Sequence, residues 1–80
     1  MKLPRNLSGT DLSKTLKKFG YVVIRQTGSH IRLSSSYKAI QHHITIPAHN
    51  PLKVGLSQIL SDVAAYIEID RDQLITELFT

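Results

Sequence analysis

Apolar side chains at the start of the chain recur with the spacing of an amphipathic helix. Leu12, Leu16 and Phe19 lie at i, i+4 and i+7, so they share one helical face. The segment Ser8–Asp11 fits a capping box, with a side-chain acceptor first and a carboxylate three residues later. Gly20 supplies the left-handed residue that commonly ends a helix. The pattern therefore predicts a first helix that ends at Phe19.

Three segments in the middle of the chain predict β-strands, because they are rich in β-branched residues and bounded by turn residues. They are Tyr21–Gln26, His30–Leu33 and Gln41–Ile46. The turn Thr27–Ser29 joins the first two strands, and the polar segment Ser34–Lys38 begins the second connection.

Alternation along these strands divides their side chains between two faces. We expect an apolar face against the helices, formed by Val22, Ile24, Ile31, Leu33, Ile44 and Ile46. The other face then carries Arg25, His30, Arg32, His43 and Thr45.

Helical spacing returns after Gly55, at Leu56, Ile59, Leu60 and Val63. Asp70–Gln73 resembles a second capping box and opens a short last helix with apolar positions at Leu74, Ile75, Leu78 and Phe79. The element order is α-β-β-β-α-α, an α+β fold, with antiparallel strands. We expect the core to include Leu12, Leu16, Phe19, Ile24, Leu33, Ile44, Leu60 and Leu78.

Length and composition predict one ordinary soluble domain over residues 1–80, since 80 residues suffice for a single modest core. No apolar run approaches the roughly 20 residues of a membrane helix, and no signal peptide is visible. The chain has no cysteine, which excludes disulfide and thiolate chemistry. We expect a cytoplasmic protein.

The net charge of +4 is unevenly distributed. Residues 1–53 hold nine of the ten Lys and Arg residues and one acid, a net charge of +8, whereas residues 54–80 carry −4. Such asymmetry favours a basic surface for an anion and an acidic end that faces elsewhere, although solvated surface charge gives similar patterns. Lys14, Lys17 and Lys18 form a stripe opposite the apolar face of the first helix. This stripe is either a contact for a phosphate backbone or a solvated helix face.

The turn Gly28–His30 is the leading candidate for chemistry, because a hairpin holds an imidazole on a rigid sheet and leaves its ring accessible. Histidine can take and give a proton near neutral pH. Arg25 and Arg32 fall on the same predicted face and would hold phosphates. RNA supplies its own nucleophile in the 2′-hydroxyl group, so one imidazole with nearby cations is chemically sufficient.

The other histidines carry a weaker signal. His42 and His43 are adjacent in a strand and point to opposite faces, so they cannot share a ligand. His43 either joins His30 or is ordinary polar surface. His49, in a loop, binds phosphate, acts as a second acid or plays a structural role. We expect neither a metal site nor another cofactor, because no carboxylate lies between residues 12 and 61 to complete a ligand set.

The chain resembles the HicA toxin family, also called YcfA-like proteins, of bacterial and archaeal toxin–antitoxin modules. The resemblance runs from about Ser8 to Phe79. The matching pieces are Ser8-Gly9, Phe19-Gly20-Tyr21, Arg25–His30, Ile44–His49 and Leu52–Gly55 leading into residues 56–63. The combination of a Gly-Ser-His turn with a later Pro-x-His is the specific part.

The resemblance implies a fold like that of double-stranded-RNA-binding domains. It also implies a ribosome-independent ribonuclease that cleaves mRNA, with His30 as the single catalytic residue, and a HicB-type antitoxin that covers the active site. Two other readings stay open: a non-catalytic RNA-binding module that uses the same basic face, and a protein-interaction domain that uses the acidic C-terminal end.

Overall fold

The computed structural model describes residues 6–49, 52 and 55–79. The elements are helix α1 (Gly9–Thr15) with a 3-10 turn (Leu16–Phe19), strands β1 (Tyr21–Thr27), β2 (His30–Ser35) and β3 (His42–Pro47), and helices α2 (Leu56–Ile67) and α3 (Arg71–Phe79). The α+β class and the α-β-β-β-α order with an extra C-terminal helix are therefore confirmed. Lys53 and Val54, which belong to the family resemblance, lie outside the described residues.

The first helix begins where its capping box predicts. Ser8 Oγ accepts the Asp11 N–H at 3.0 Å, and the Asp11 carboxylate accepts the Ser8 N–H at 3.4 Å. Gly20 ends the helical segment in the left-handed conformation, with φ of 80°. The last four residues before it tighten into a 3-10 turn, a common way for a helix to end.

The strands form one antiparallel sheet in the order β1-β2-β3. The helices cover one face of this sheet. Leu33 lies opposite Ile44 and Ile31 opposite Ile46, and all four side chains are buried. Seven of the eight predicted core residues are buried as expected: Leu12, Leu16, Phe19, Leu33, Ile44, Leu60 and Leu78.

The prediction for the apolar residues of β1 is wrong. Ile24 and Val22 were expected to be buried, but they are 51% and 54% exposed. The pairing with β2 shifts between Val23 and Arg25, which makes Ile24 a β-bulge. A bulge reverses the alternation beyond it, so Val22 and Arg25 both lie on the face away from the helices. Val23 shares the helical face but is still 48% exposed, because β1 is an edge strand.

The connection expected at Ser34–Lys38 is also shorter than predicted, because Ser34 and Ser35 belong to β2 and are buried. Ser35 Oγ donates to the Phe19 carbonyl at 2.8 Å and accepts the Tyr37 N–H at 3.1 Å. Ser35 therefore continues the strand, because its hydroxyl group bonds to the backbone of the helical segment and of the next connection. In the described part of the chain, no helix is long and apolar enough to span a bilayer.

Candidate functional site

The sheet surface turned away from the helices, here called the open face, carries the polar side chains predicted for it. These are Arg25, His30, Arg32, His43 and Thr45, and all five are exposed. Arg25, Arg32 and Thr45 lie directly opposite one another across the three strands. Thr27, His30 and Pro47 form the next such row toward the hairpin turn. The register therefore brings His30 next to both arginines.

The turn that presents His30 depends on glycine at one position. Gly28 has φ of 56°, and a positive φ at the first central residue of a two-residue hairpin strongly favours glycine. A Cβ on Gly28 would meet no atom within 4 Å, so its backbone conformation, not crowding, sets the requirement. The Ser29 carbonyl accepts the Ala48 N–H at 2.7 Å, which ties the turn to the segment after β3.

Arg25 and Arg32 are a like-charged pair placed directly across two strands, an arrangement that destabilises a sheet. No strand carries an acidic residue that could neutralise them. The Arg32 guanidinium approaches the Thr45 hydroxyl at 3.4 Å, a long hydrogen bond that inclines it toward β3. An anion bound between the two guanidinium groups would relieve this repulsion, so the pair is suited to bind phosphate.

The His30 ring makes no hydrogen bond to any residue that the structure describes. It is exposed at the start of β2, beside the arginine pair, so both ring nitrogens are accessible to a ligand. Among the described residues, no cluster of three or more His, Cys, Asp or Glu side chains could hold a metal ion. The described residues thus offer an exposed imidazole next to two cationic side chains at this position.

His49 lies at the same end of the sheet as His30. Pro47 pairs with His30, and His49 comes two residues after Pro47. The His49 side chain is exposed. The start of α1 holds this segment in place, since the Gly9 N–H donates to the His49 carbonyl at 3.0 Å. A Cβ on Gly9 would lie 2.0 Å from the Pro47 carbonyl oxygen, so only glycine allows this contact.

The three lysines of the predicted phosphate-binding stripe do not lie on the open face. Lys14, Lys17 and Lys18 are exposed, but their helical segment packs against the opposite face of the sheet. Lys18 donates through Nζ to the Glu77 carbonyl of α3. The sheet thus separates the lysine stripe from the Arg25–Arg32 pair.

His42 belongs to a cluster that the sequence patterns did not reveal. As predicted, it points to the opposite face from His43, where its Nδ1 lies 2.6 Å from the Tyr21 hydroxyl. Its ring stacks on Tyr66 of α2, with centroids 4.6 Å apart. Burial raises the pKa of Tyr21 above its ordinary value, with a further contribution from Tyr66. Because the three residues are far apart along the chain, spacing alone gave no signal for this cluster.

Tyr66 also orders the connection between β2 and β3. Its hydroxyl accepts the Lys38 N–H at 3.0 Å and donates to the Ile40 carbonyl. An ion pair of 2.8 Å between Lys38 and Glu68 adds a second tie between this connection and the end of α2. These contacts are structural, and they lie at the end of the sheet opposite His30.

The geometry defines a class of protein: a small basic α+β domain that has an accessible histidine beside two paired arginines. A family model described as the HicA toxin of bacterial toxin–antitoxin matches residues 9–63. The matched range contains α1, the whole sheet and most of α2, and it covers more than half of the chain. The chain belongs to the HicA toxin family. No curated protein and no solved structure gives a significant match.

Proposed function

We propose that this chain is the toxin of a type II toxin–antitoxin module and acts as an endoribonuclease on mRNA, without the ribosome and without a metal ion. His30 is the catalytic residue. Arg25 and Arg32 hold the phosphates, and Gly28 and Ser29 form the turn that presents the imidazole. Membership of the HicA toxin family supports the toxin assignment.

The observation that carries the proposal is the row of Arg25 and Arg32 next to the row of His30 on the open face. A like-charged cross-strand pair without an acidic partner on the sheet is unfavourable in the free protein and favourable around an anion. The exposed imidazole of His30 stands one row away. A phosphodiester bound by the arginines would therefore lie within reach of the His30 ring.

The chemistry follows from the nature of RNA. A neutral imidazole accepts the proton of the 2′-hydroxyl group as its oxygen attacks phosphorus, and the guanidinium groups stabilise the negative charge on the phosphoryl oxygens. A protonated imidazole gives a proton to the departing 5′-oxygen as the bond from phosphorus to that oxygen breaks, which leaves a 2′,3′-cyclic phosphate and a 5′-hydroxyl group. DNA lacks the 2′-hydroxyl group, so this site is specific for RNA.

The partner is a HicB-type antitoxin that covers the open face and places acidic side chains against Arg25, His30 and Arg32. Two features of the face support this part of the proposal: its uncompensated positive charge, and the exposed apolar side chains of Val22 and Ile24 on the adjoining edge. A protein partner buries such apolar groups, whereas RNA gains little from them. A complex that leaves His30 open to solvent would contradict this mode of inhibition.

The test is incubation of purified protein with RNA, with and without EDTA, followed by analysis of the product ends. We expect cleavage that persists in EDTA and leaves 2′,3′-cyclic or 3′-phosphate ends. Strict dependence on magnesium with 3′-hydroxyl ends would overturn the metal-free route. RNA binding without any cleavage would favour the alternative, a non-catalytic RNA-binding module that uses the same arginine pair.

A further inference from the structure

His49 lies opposite the hairpin turn that presents His30. Strands β2 and β3 pair through His30 and Pro47, and the 2.7 Å hydrogen bond from the Ala48 N–H to the Ser29 carbonyl extends this pairing by one residue. His49 is the next residue along the chain and follows the contact with the turn of Gly28 and Ser29. Glycine has no side chain, so nothing from Gly28 stands between the two imidazole rings.

The backbone contacts of Gly9 show which face His49 occupies. The Gly9 N–H donates to the His49 carbonyl, and a Cβ on Gly9 would almost touch the Pro47 carbonyl oxygen. Both carbonyl groups thus point toward α1 at the outer edge of β3. The Ala48 N–H between them points the other way, to the Ser29 carbonyl, and this alternation is that of an extended chain, in which alternate side chains share a face. Pro47 and His49 therefore lie on the open face, together with His30.

The separation suits two groups that act on one phosphodiester. His49 lies two residues beyond Pro47, the partner of His30, so the two histidines are diagonal neighbours. Diagonal neighbours on antiparallel strands have Cα atoms about 7–8 Å apart, a distance that long or aromatic side chains can bridge. Both side chains are exposed. The His30 row lies between the arginine row and His49, so a phosphate that the long side chains of Arg25 and Arg32 hold above His30 would contact both imidazoles.

One imidazole is sufficient for the reaction, but two groups serve it better. The attacking 2′-oxygen and the departing 5′-oxygen lie on opposite sides of the phosphorus atom in an in-line displacement. A single ring fixed at a turn reaches one of them and must move to reach the other. Two rings, one on each side, need no such movement.

We propose that His49 is the general acid that completes the site, a proposal that rests on the ribonuclease function given above. Neutral His30 takes the 2′-hydroxyl proton as the bond from the 2′-oxygen to phosphorus forms. Protonated His49 gives its proton to the 5′-oxygen as the bond from phosphorus to that oxygen breaks. The products are a 2′,3′-cyclic phosphate and a 5′-hydroxyl group, and the protein is left with His30 protonated and His49 neutral.

The test compares the variants His49→Ala and His30→Ala on two substrates: RNA, and a uridine 3′-phosphate ester whose leaving group is nitrophenolate. Nitrophenolate departs without protonation, so an acid catalyst is needed only for RNA. We expect His49→Ala to lower RNA cleavage by roughly 10²–10⁴-fold and to cleave the nitrophenyl ester at nearly the wild-type rate. His30→Ala should lose activity on both substrates.

A pH profile gives a second readout that a structural role would not change. With one neutral and one protonated imidazole required, the wild-type rate on RNA should pass through a maximum and fall on both sides. His49→Ala should lose the decline on the alkaline side. The charged and titratable groups on the adjoining elements are Arg25, Arg32 and His43 of the sheet and Asp11 of α1. Because His43 lies one row from the arginine pair, the control is Gln41→Ala, at an exposed position just before β3.

Two outcomes would overturn the role of His49 alone. Cleavage of RNA by His49→Ala within about threefold of wild type would exclude an acid role. An equal loss on both substrates would make His49 a phosphate-binding residue. Circular dichroism shows whether His49→Ala is folded. If it is not, His49→Gln takes its place, and it must likewise lose cleavage of RNA while it keeps cleavage of the nitrophenyl ester. If the wild-type protein cleaves neither substrate, the proposed ribonuclease function itself is wrong. Failure of that function is thereby distinguished from failure of the role proposed for His49.

Discussion

The two ends of the sheet carry the same type of residue in opposite circumstances. At one end, His42 starts β3, bonds to the buried Tyr21 hydroxyl and stacks on Tyr66. At the other end, His30 starts β2, is exposed and makes no hydrogen bond within the described residues. An imidazole with satisfied neighbours stabilises the fold, whereas one without them is available for a ligand. Whether a strand histidine has a structural role or is available for chemistry therefore depends on the residues around it.

The largest effect expected from this comparison is the loss of catalysis at the exposed end. His30→Ala should lower RNA cleavage by roughly 10²–10⁴-fold, because it removes an acid–base group. The free energy of unfolding should change by no more than about 0.5 kcal/mol, as is usual for an exposed residue. Cleavage assays and thermal melts of the same preparation measure both quantities. Full activity in a folded His30→Ala protein would remove this residue from the mechanism.

The next largest effect concerns the contact that holds the exposed end in place. Gly9→Ala puts a Cβ at 2.0 Å from the Pro47 carbonyl oxygen, so the start of α1 and the segment before His49 must separate. We expect a destabilisation of about 1–3 kcal/mol, typical of overpacking, together with reduced cleavage. Thr10→Ala, at the exposed neighbouring position, is the control in chemical denaturation. Equal stability of the two variants would show that this contact adjusts freely.

At the buried end, the expected effect is on stability instead of cleavage. His42→Ala removes the partner of the Tyr21 hydroxyl and the ring that stacks on Tyr66. Leaving a buried hydroxyl group without a partner costs about 1–3 kcal/mol. Under conditions where the variant is folded, cleavage per molecule should match wild type. A His42→Ala protein with wild-type stability and no activity would reverse the roles that we assign to the two ends.

The same cluster predicts a loss of stability at alkaline pH. The pKa of Tyr21 is raised in the folded protein by burial, so the folded state keeps its proton when the unfolded chain loses it. The unfolded state then binds fewer protons, and the free energy of unfolding falls as pH rises above about 10, the ordinary tyrosine pKa. Urea denaturation from pH 9 upward should show a steeper decline for wild type than for Tyr21→Phe. Parallel declines would mean that Tyr21 ionises equally in both states.

The smallest effect distinguishes the open face from the lysine stripe behind it. Each lost phosphate contact reduces the slope of log affinity against log salt by about one. Arg25→Gln should do so for any RNA. Lys17→Gln should do so only for an RNA long enough to pass around the edge of the sheet, because the stripe lies on the helical side. An unchanged slope for Lys14, Lys17 and Lys18 variants with long RNA would exclude the stripe from binding.

Local patterns in the sequence were sufficient where the physical cause is local. The capping box at Ser8–Asp11, the left-handed Gly20 and the glycine turn before His30 each depend on a few neighbouring residues, and all were predicted. Helical and strand periodicity placed most of the core in the same way. The polar residues of the open face were also predicted. In β1, however, the prediction assumed strict alternation of side chains, and the bulge at Ile24 breaks that alternation.

Only the tertiary structure decided which distant residues meet. Pairing of the strands sets Arg25 against Arg32, and packing of α2 on the sheet brings Tyr66 to His42. Packing of α1 moves the lysine stripe away from the open face and presses Gly9 onto the segment before His49. The sequence by itself determined the elements and the candidate histidine, because hydrophobic period and turn chemistry are properties of short segments. The charges and contacts around that histidine come from register and layer packing, which join residues far apart along the chain.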